Sequence, residues 1–235
     1  MLELAKFDFG SLTVTALSRN GGVSKFPYDT LNLSTRVGDQ PEAVASNLTK
    51  VQRLIKADGL AILQAEHGVK VHQATRAGEA APGDGLVCTK PGLGIIALSA
   101  DCVPFALVDP IAKVIAVGHA GWRGVLADLM SQLSKSFVKS GGDISQSTAI
   151  LGPAICGSCY EVPKDRVKLF KKSNPDAILD KTHLDISAGV RAKLNELGYK
   201  TNQVLACTYE ETKLFSYRRV GGGPTGRTGL AAVIK

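Results

Sequence analysis

The chain has 235 residues, 44% of them hydrophobic and 21% charged, which is enough to build a large core and excludes general disorder. Its net charge of +7 comes from scattered lysines and arginines. That scatter excludes a basic tail or a nucleic-acid-binding stripe, and fits either attraction of a small anion or a plain solvated surface.

In chain order, "SLTVTAL" alternates apolar and polar residues as a half-buried strand does, and a glycine-marked loop, "RNGGVS", follows. "PYDTLNLS" reads as a turn and then extended chain. "GDQPEAVASNLTKVQRLI" predicts a helix capped by Asp39, with Glu42 closing a capping box and Pro41 in the first turn. "LAILQAEHGVKVHQ" predicts two extended segments broken at His67-Gly68, and "APGDG" a turn. "LGIIALSA" and "KVIAVGHA" are continuous apolar runs, typical of strands covered on both faces.

After Trp122, apolar residues at 125, 126, 129, 130, 133 and 137 predict one helix ended by Gly141 and Gly142. "STAILGPAI" reads as a buried strand, and "KDRVKLFKK" and "DISAGVRAKLNELG" as surface helices. "QVLACTYE" and "LFSYRR" suggest late strands, "GGGPTGRTG" a flexible loop and "LAAVI" a terminal strand. The alternation, without repeats or long linkers, predicts a single α/β domain over 1–235 with a mixed sheet; two packed subdomains are the alternative.

The first residues carry acidic side chains and no apolar stretch of signal-peptide length, and no segment reaches the roughly 20 apolar residues that span a bilayer. The expectation is a cytoplasmic protein without a membrane partner. Five cysteines, an odd number, fit free thiols better than a disulfide framework.

The side chains able to bind a soft metal are few. His67, Cys102 and His119 each sit in a loop beside an apolar run, and together they offer three ligands with a fourth position open, the usual form of a catalytic zinc site. No standard zinc signature applies. Cys102 and His119 equally suit a thiol hydrolase dyad, the imidazole lowering the thiol pKa, and the residues alone leave metal site and dyad level. "CGSC" at 156–159 has thioredoxin-like spacing but reads as a loop with two buried thiols. "GGGPTGRTG" lacks the Gly-Lys-Ser/Thr ending of a phosphate loop. Arg19, Arg123, Arg218 and Arg219 stand in glycine- or aromatic-rich settings where guanidinium forks can hold phosphate, although for any single arginine a carboxylate partner is the commoner role.

From Arg19 to Arg227 the motifs "GGVS", "LNLSTRVGD", "EHG", "DG", "SADCVP", "GHAGWRG", "GPAICGSCYEV", "CTYE", "FSYRR" and "TGR" run in the order seen in the YfiH family. These proteins were long labelled multicopper polyphenol oxidoreductases or laccases, and later zinc-dependent purine nucleoside enzymes. "ADCVP" with "HAGWRG" carries the specificity of the resemblance. It implies a layered α/β sandwich similar to the cytotoxic-necrotizing-factor-type cysteine hydrolase fold. It also implies a metal on His67, Cys102 and His119, zinc with copper as the rival, which tips the balance away from the dyad.

The implied activity is phosphorolysis of adenosine, inosine and methylthioadenosine with adenosine deamination, by a monomer or weak homodimer. Purine nucleoside and phosphate are then the partners. A Cys–His hydrolase or amidase acting on a peptidoglycan precursor is the alternative. In the nucleoside reading, Glu161 or Asp101 would move a proton and Arg123, with Arg19 or Arg218, would hold phosphate. Ser24 and Asn32 would meet ribose or purine edges unless they serve only their turns. Two departures stand out: Ala65-Glu66 precede His67, leaving Gln64 one position too far unless a bulge intervenes, and Leu48 follows Asn47 where arginine is common. True laccase chemistry would need many more than four histidines.

Overall fold

The computed structural model describes all residues, Met1–Lys235. Twelve strands form two six-stranded mixed sheets. One contains β1 (Glu3–Asp8), β2 (Leu12–Leu17), β3 (Gly59–Gln64), β5 (Gly78–Pro82), β7 (Leu93–Ser99) and β12 (Thr228–Ile234), in the order β1-β2-β12-β7-β3-β5. The other contains β4 (Val71–Gln73), β6 (Gly85–Cys88), β8 (Val103–Asp109), β9 (Val114–Ala120), β10 (Thr148–Leu151) and β11 (Lys200–Gln203), in the order β11-β10-β8-β9-β6-β4. The expected mixed sheet is therefore two sheets.

Strand alternation divides the core into three. Ala106 and Val108 of β8 face Leu230, Ala232 and Ile234 of β12 across a layer between the sheets. The other faces of the same strands, Phe105 and Leu107 on one side and Ala231 and Val233 on the other, meet the helices. Helix α1 (Pro41–Ile55) covers the first sheet through Val51 and Ile55. Helices α2 (Trp122–Leu126), α3 (Leu129–Lys139), α4 (Lys164–Ser173) and α5 (Ile186–Glu196) cover the second. The result is a four-layer α/β/β/α sandwich. Strands buried on both faces explain why the apolar runs are continuous rather than alternating.

Several expectations need correction. Asp39 does not cap α1: the N-cap is Gln40, without a side-chain cap bond, because the Asp39 carboxylate accepts instead from the Gln40 amide (2.8 Å) and from Asn32 Nδ2 (2.9 Å). Pro41 does open the helix. The helix expected after Trp122 is two, because Asp128 turns left-handed (φ 60°) and caps α3 through the Ser131 amide. "LAILQ" and "VHQ" are strands of different sheets, so the chain crosses between layers at His67. "QVLACTYE" is strand only at its first residue and "LFSYRR" is turns, so most of 204–227 carries no strand. The thiols of Cys156 and Cys159 are partly exposed rather than buried, on the 3-10 turn Gly157–Cys159. Strands β1, β5, β6 and β8 fall where the residue pattern gives no strand.

No helix is long and apolar enough to cross a membrane. Phe105 is fully buried against Gly118 and Leu133. Phe105→Ala should therefore cost about 3–5 kcal/mol, read as a lower urea midpoint at unchanged slope.

Candidate metal centre and active-site cavity

The chain passes from the first sheet to the second three times at one end of the sandwich, and each passage delivers a side chain to the same place. The β3–β4 crossover carries His67, the β5–β6 crossover Asp84, and the β7–β8 crossover Cys102; the end of β9 adds His119. The donor atoms of His67, Cys102 and His119 lie within 4.8 Å of one another. The two imidazoles meet edge to face, with ring centroids 5.0 Å apart. The sequence-predicted ligands therefore do converge.

Asp84, fully buried, fixes this geometry. Its carboxylate accepts from the backbone amides of Glu66 (3.3 Å), His67 (2.9 Å) and Gly68 (2.6 Å), clasping the left-handed turn at His67 (φ 63°). The same carboxylate faces His119 Nδ1 at 3.0 Å, while the Asp84 carbonyl accepts from the His119 amide at 2.9 Å. A carboxylate on Nδ1–H holds the tautomer that offers Nε2 to a metal or to the thiol, the usual support of a metal-binding histidine. Burial opposes the Asp84 charge, but its hydrogen bonds outweigh that and keep its pKa below the ordinary range.

Burial likewise opposes a charged Cys102. The His119 imidazolium outweighs it and, with hydrogen bonds from His119 and His67, brings the thiol to about 6. Burial pulls His119 down, yet the facing sulfur and Asp84 lift it to about 9. Between those values the metal-free pair stands as thiolate and imidazolium. Close packing leaves no room for a side chain at Gly121, where a Cβ would lie 2.9 Å from the His67 ring and 3.2 Å from Cys102 Sγ.

His67, Cys102, His119 and Gly121 line a cavity of about 670 Å³, with Asp84 buried behind them. Arg36, Arg123, Arg218 and Arg227 also line it. Three of these guanidiniums stack on aromatic rings of the cavity: Arg123 on Trp122 at 4.5 Å, Arg218 on Tyr160 at 5.1 Å and Arg227 on Tyr217 at 5.8 Å. Asp101 lines the cavity too, but its carboxylate is taken by Thr208 Oγ1 (2.6 Å) and the Arg218 amide (2.7 Å). Those bonds hold Asp101 at φ 99° and so aim the neighbouring Cys102.

Other sequence candidates lie elsewhere. Arg19 is bound by Asp29 (2.7 Å) and stacked on Phe215. Buried Ser24 accepts from Asn47 Nδ2 (2.9 Å), and buried Asn32 is used by Ser34, Asp39 and the Arg227 amide. None of the three lines the cavity; they build the loops beneath it. Glu161 is exposed and outside the lining, touching the region only where its carbonyl accepts from Arg218 (3.0 Å). Arg219 is spent on backbone carbonyls, among them that of Tyr209 at 3.1 Å. Gln64 does reach the cavity, and a register shift between β3 and β5 occurs beside it, the extra residue lying on β5. Asp84, Trp122, Tyr160, Tyr217, Arg36 and Arg227 are functional candidates that the residue pattern did not single out.

Two sheet crossovers and the end of β9 thus bring two histidines and a cysteine together as a candidate metal site in this four-layer sandwich. The family model described as multi-copper polyphenol oxidoreductase laccase matches residues 13–235, and the chain belongs to this family. It is 37% identical over 211 residues to a purine nucleoside phosphorylase of Streptomyces coelicolor, covering 86% of this chain and 87% of the relative. It is 32% identical over 253 residues to the adenosine deaminase RL5 of an unknown prokaryotic organism, covering 94% and 95%. Among solved structures it resembles the hypothetical protein YfiH of Bacillus licheniformis, with a TM-score of 0.88, 25% identity and 97% and 94% coverage. It also resembles a Neisseria meningitidis protein of the DUF152 family, with a TM-score of 0.86, 29% identity and 98% coverage of both chains.

Two outcomes follow from this geometry. In metal-free protein the rate of Cys102 alkylation by iodoacetamide should fall as pH drops through about 6, rather than through the ~8.5 of a free thiol. A midpoint above 8 would mean that His119 does not charge the thiol. Asp84→Asn should weaken zinc binding about 10–100-fold, read by competition with a chromophoric chelator, with the fold checked by circular dichroism.

Proposed function

We propose that the chain is a zinc-dependent purine nucleoside phosphorylase, acting on adenosine, inosine or methylthioadenosine, that also deaminates adenosine. The observation that carries this reading is the joint lining of one cavity: two imidazoles and a thiol on one wall, arginine–aromatic pairs on the others, and the one acidic side chain of the lining already hydrogen-bonded. The names of the relatives point the same way.

The donor set fits zinc, since a low-pKa thiolate and two imidazoles, one oriented by a carboxylate, make a three-ligand site facing a cavity. Bound there, the ion would supply Lewis-acid polarisation. It fits a multicopper array poorly: His72 is engaged by the Pro82 carbonyl and His183 by Asp180, both outside the cavity.

Phosphorolysis breaks the glycosidic C–N bond, forms a C–O bond to phosphate and returns a proton to the purine. Arg123 and Arg218, their planes already set by the rings beneath them, hold phosphate by paired N–H bonds. Tyr160 and Tyr217 each carry one guanidinium, which leaves one ring face of each for the flat base, whereas Trp122 already carries both Arg123 and Arg166. Asp84 keeps His119 and the His67 turn in place throughout. Because both Asp101 oxygens are engaged, its role is to hold the Cys102 turn rather than to carry a proton.

The Asp84–His119–Cys102 relay gives the thiol hydrolase reading a specific basis, since a carboxylate-oriented imidazole beside a thiolate is also a nucleophilic triad. One assay separates the two. Zinc-loaded and chelator-treated protein is given adenosine with and without phosphate, and adenine, hypoxanthine and inosine are measured. The expectation is phosphate-dependent base release that is lost on chelation and falls at least about 100-fold in Cys102→Ala. Full base release without metal would end the proposal; no base release from zinc-loaded protein, together with chelator-insensitive cleavage of a peptide amide given in a parallel reaction, would favour the hydrolase. Arg218→Ala should lower kcat/KM for phosphate about 10–100-fold, the worth of one charged hydrogen-bonding pair.

A further inference from the structure

"CGSC" and "CTYE" are two copies of one spacing, a cysteine and a second donor three residues on, separated in the chain by 160–206. The fold brings them together. Ala154 and Cys207 pair as an isolated parallel bridge, the Thr208 amide donates to the Ala154 carbonyl (3.0 Å), and the two loops lie side by side. The donor atoms of Cys156, Cys159, Cys207 and Glu210 all lie within 4.8 Å of one another, beside a hollow of about 320 Å³ that Arg191 also lines.

The surroundings of the sulfurs are those of metal-binding turns. The Cys156 amide donates to Cys207 Sγ at 3.3 Å, and the amides of Tyr209 and Glu210 also face that sulfur. Cys159 Sγ points at the Glu210 carboxylate at 3.7 Å. These amides favour thiolate at Cys207, the form in which cysteine binds metal, but burial outweighs them and raises the thiol pKa.

The geometry points to a second divalent-metal site, structural and closed, in which Cys156, Cys159, Cys207 and Glu210 hold zinc. Paired turns with a two-residue gap are the usual frame for such ions. Ligands at tetrahedral zinc distances sit about 3.8 Å apart, a short inward movement from the separations here. A disulfide needs about 2.0 Å and would leave the third sulfur and the carboxylate without a role.

The ion would tie together the two loops that steady the active site. Ile155, next to Cys156, donates to the Asp101 carbonyl (3.0 Å), and Thr208, next to Cys207, donates to the Asp101 carboxylate (2.6 Å). This site is independent of the nucleoside reading and stands or falls without it.

The test uses reduced, metal-stripped Cys102→Ala protein, so that the first cluster contributes no thiolate, titrated with cobalt(II) and then with zinc. A thiolate-to-cobalt absorption saturating at one equivalent and bleached by zinc is expected. Zinc should also protect three thiols from a disulfide reagent and raise Tm. Cys156→Ser/Cys207→Ser should lose the absorption. Glu210→Gln, which keeps every sulfur, should retain the band but bind about tenfold more weakly. No band with thiols equally reactive with and without zinc overturns the site. A Glu210→Gln affinity equal to that of the parent overturns the four-donor assignment.

Discussion

One buried carboxylate makes the rest of the site necessary. A charge as deeply buried as that of Asp84 is tolerated only when its oxygens are filled, and here three successive amides of the His67 turn and the His119 ring fill them. Those partners come from a different crossover and from one strand end. The carboxylate is satisfied only when both sheets are docked in register, so the condition that stabilises the sandwich also positions the reactive groups. Sulfur then completes the arrangement electrostatically, because the imidazole that Asp84 orients is the one that charges Cys102.

Much of this can be read in the residues, and the failures have physical causes. Continuous apolar runs mark β7 and β9 because both faces are covered, and the chemistry of His67, Cys102 and His119 stands out because soft donors are scarce in the chain. Asp84 is hidden because "APGDG" has the composition of an exposed turn, and only burial between layers turns it into an anchor. Arg19, Ser24 and Asn32 carry the right functional groups but are consumed by local loop bonds that no linear pattern displays. The left-handed residue at Asp128, which splits one apparent helical stripe into two helices, is equally a local event. The cavity aromatics could not be assigned from spacing, because Trp122, Tyr160 and Tyr217 come from three distant segments.

The cavity walls divide their work by chemistry. Guanidiniums stacked on rings keep their in-plane N–H groups available while the ring limits their swing, so an anion meets donors already arranged. The imidazole–thiol wall is held by the Asp84 carboxylate, which clasps the His67 turn and the His119 ring, and by the engaged Asp101 side chain beside Cys102. Ile62, Leu98 and Ile155 add apolar side chains to the same lining.

The position of β12 has a further consequence. It lies between β2 and β7, pairing with both, although those strands precede it by more than a hundred residues. Until residues 228–234 take their place, the first sheet is two separate fragments with open edges and the layer between the sheets lacks its central strip. Assembly of this molecule on the ribosome therefore cannot proceed simply from front to back: the early segments must wait, and be kept from pairing with neighbouring nascent chains, until residues 228–234 have emerged.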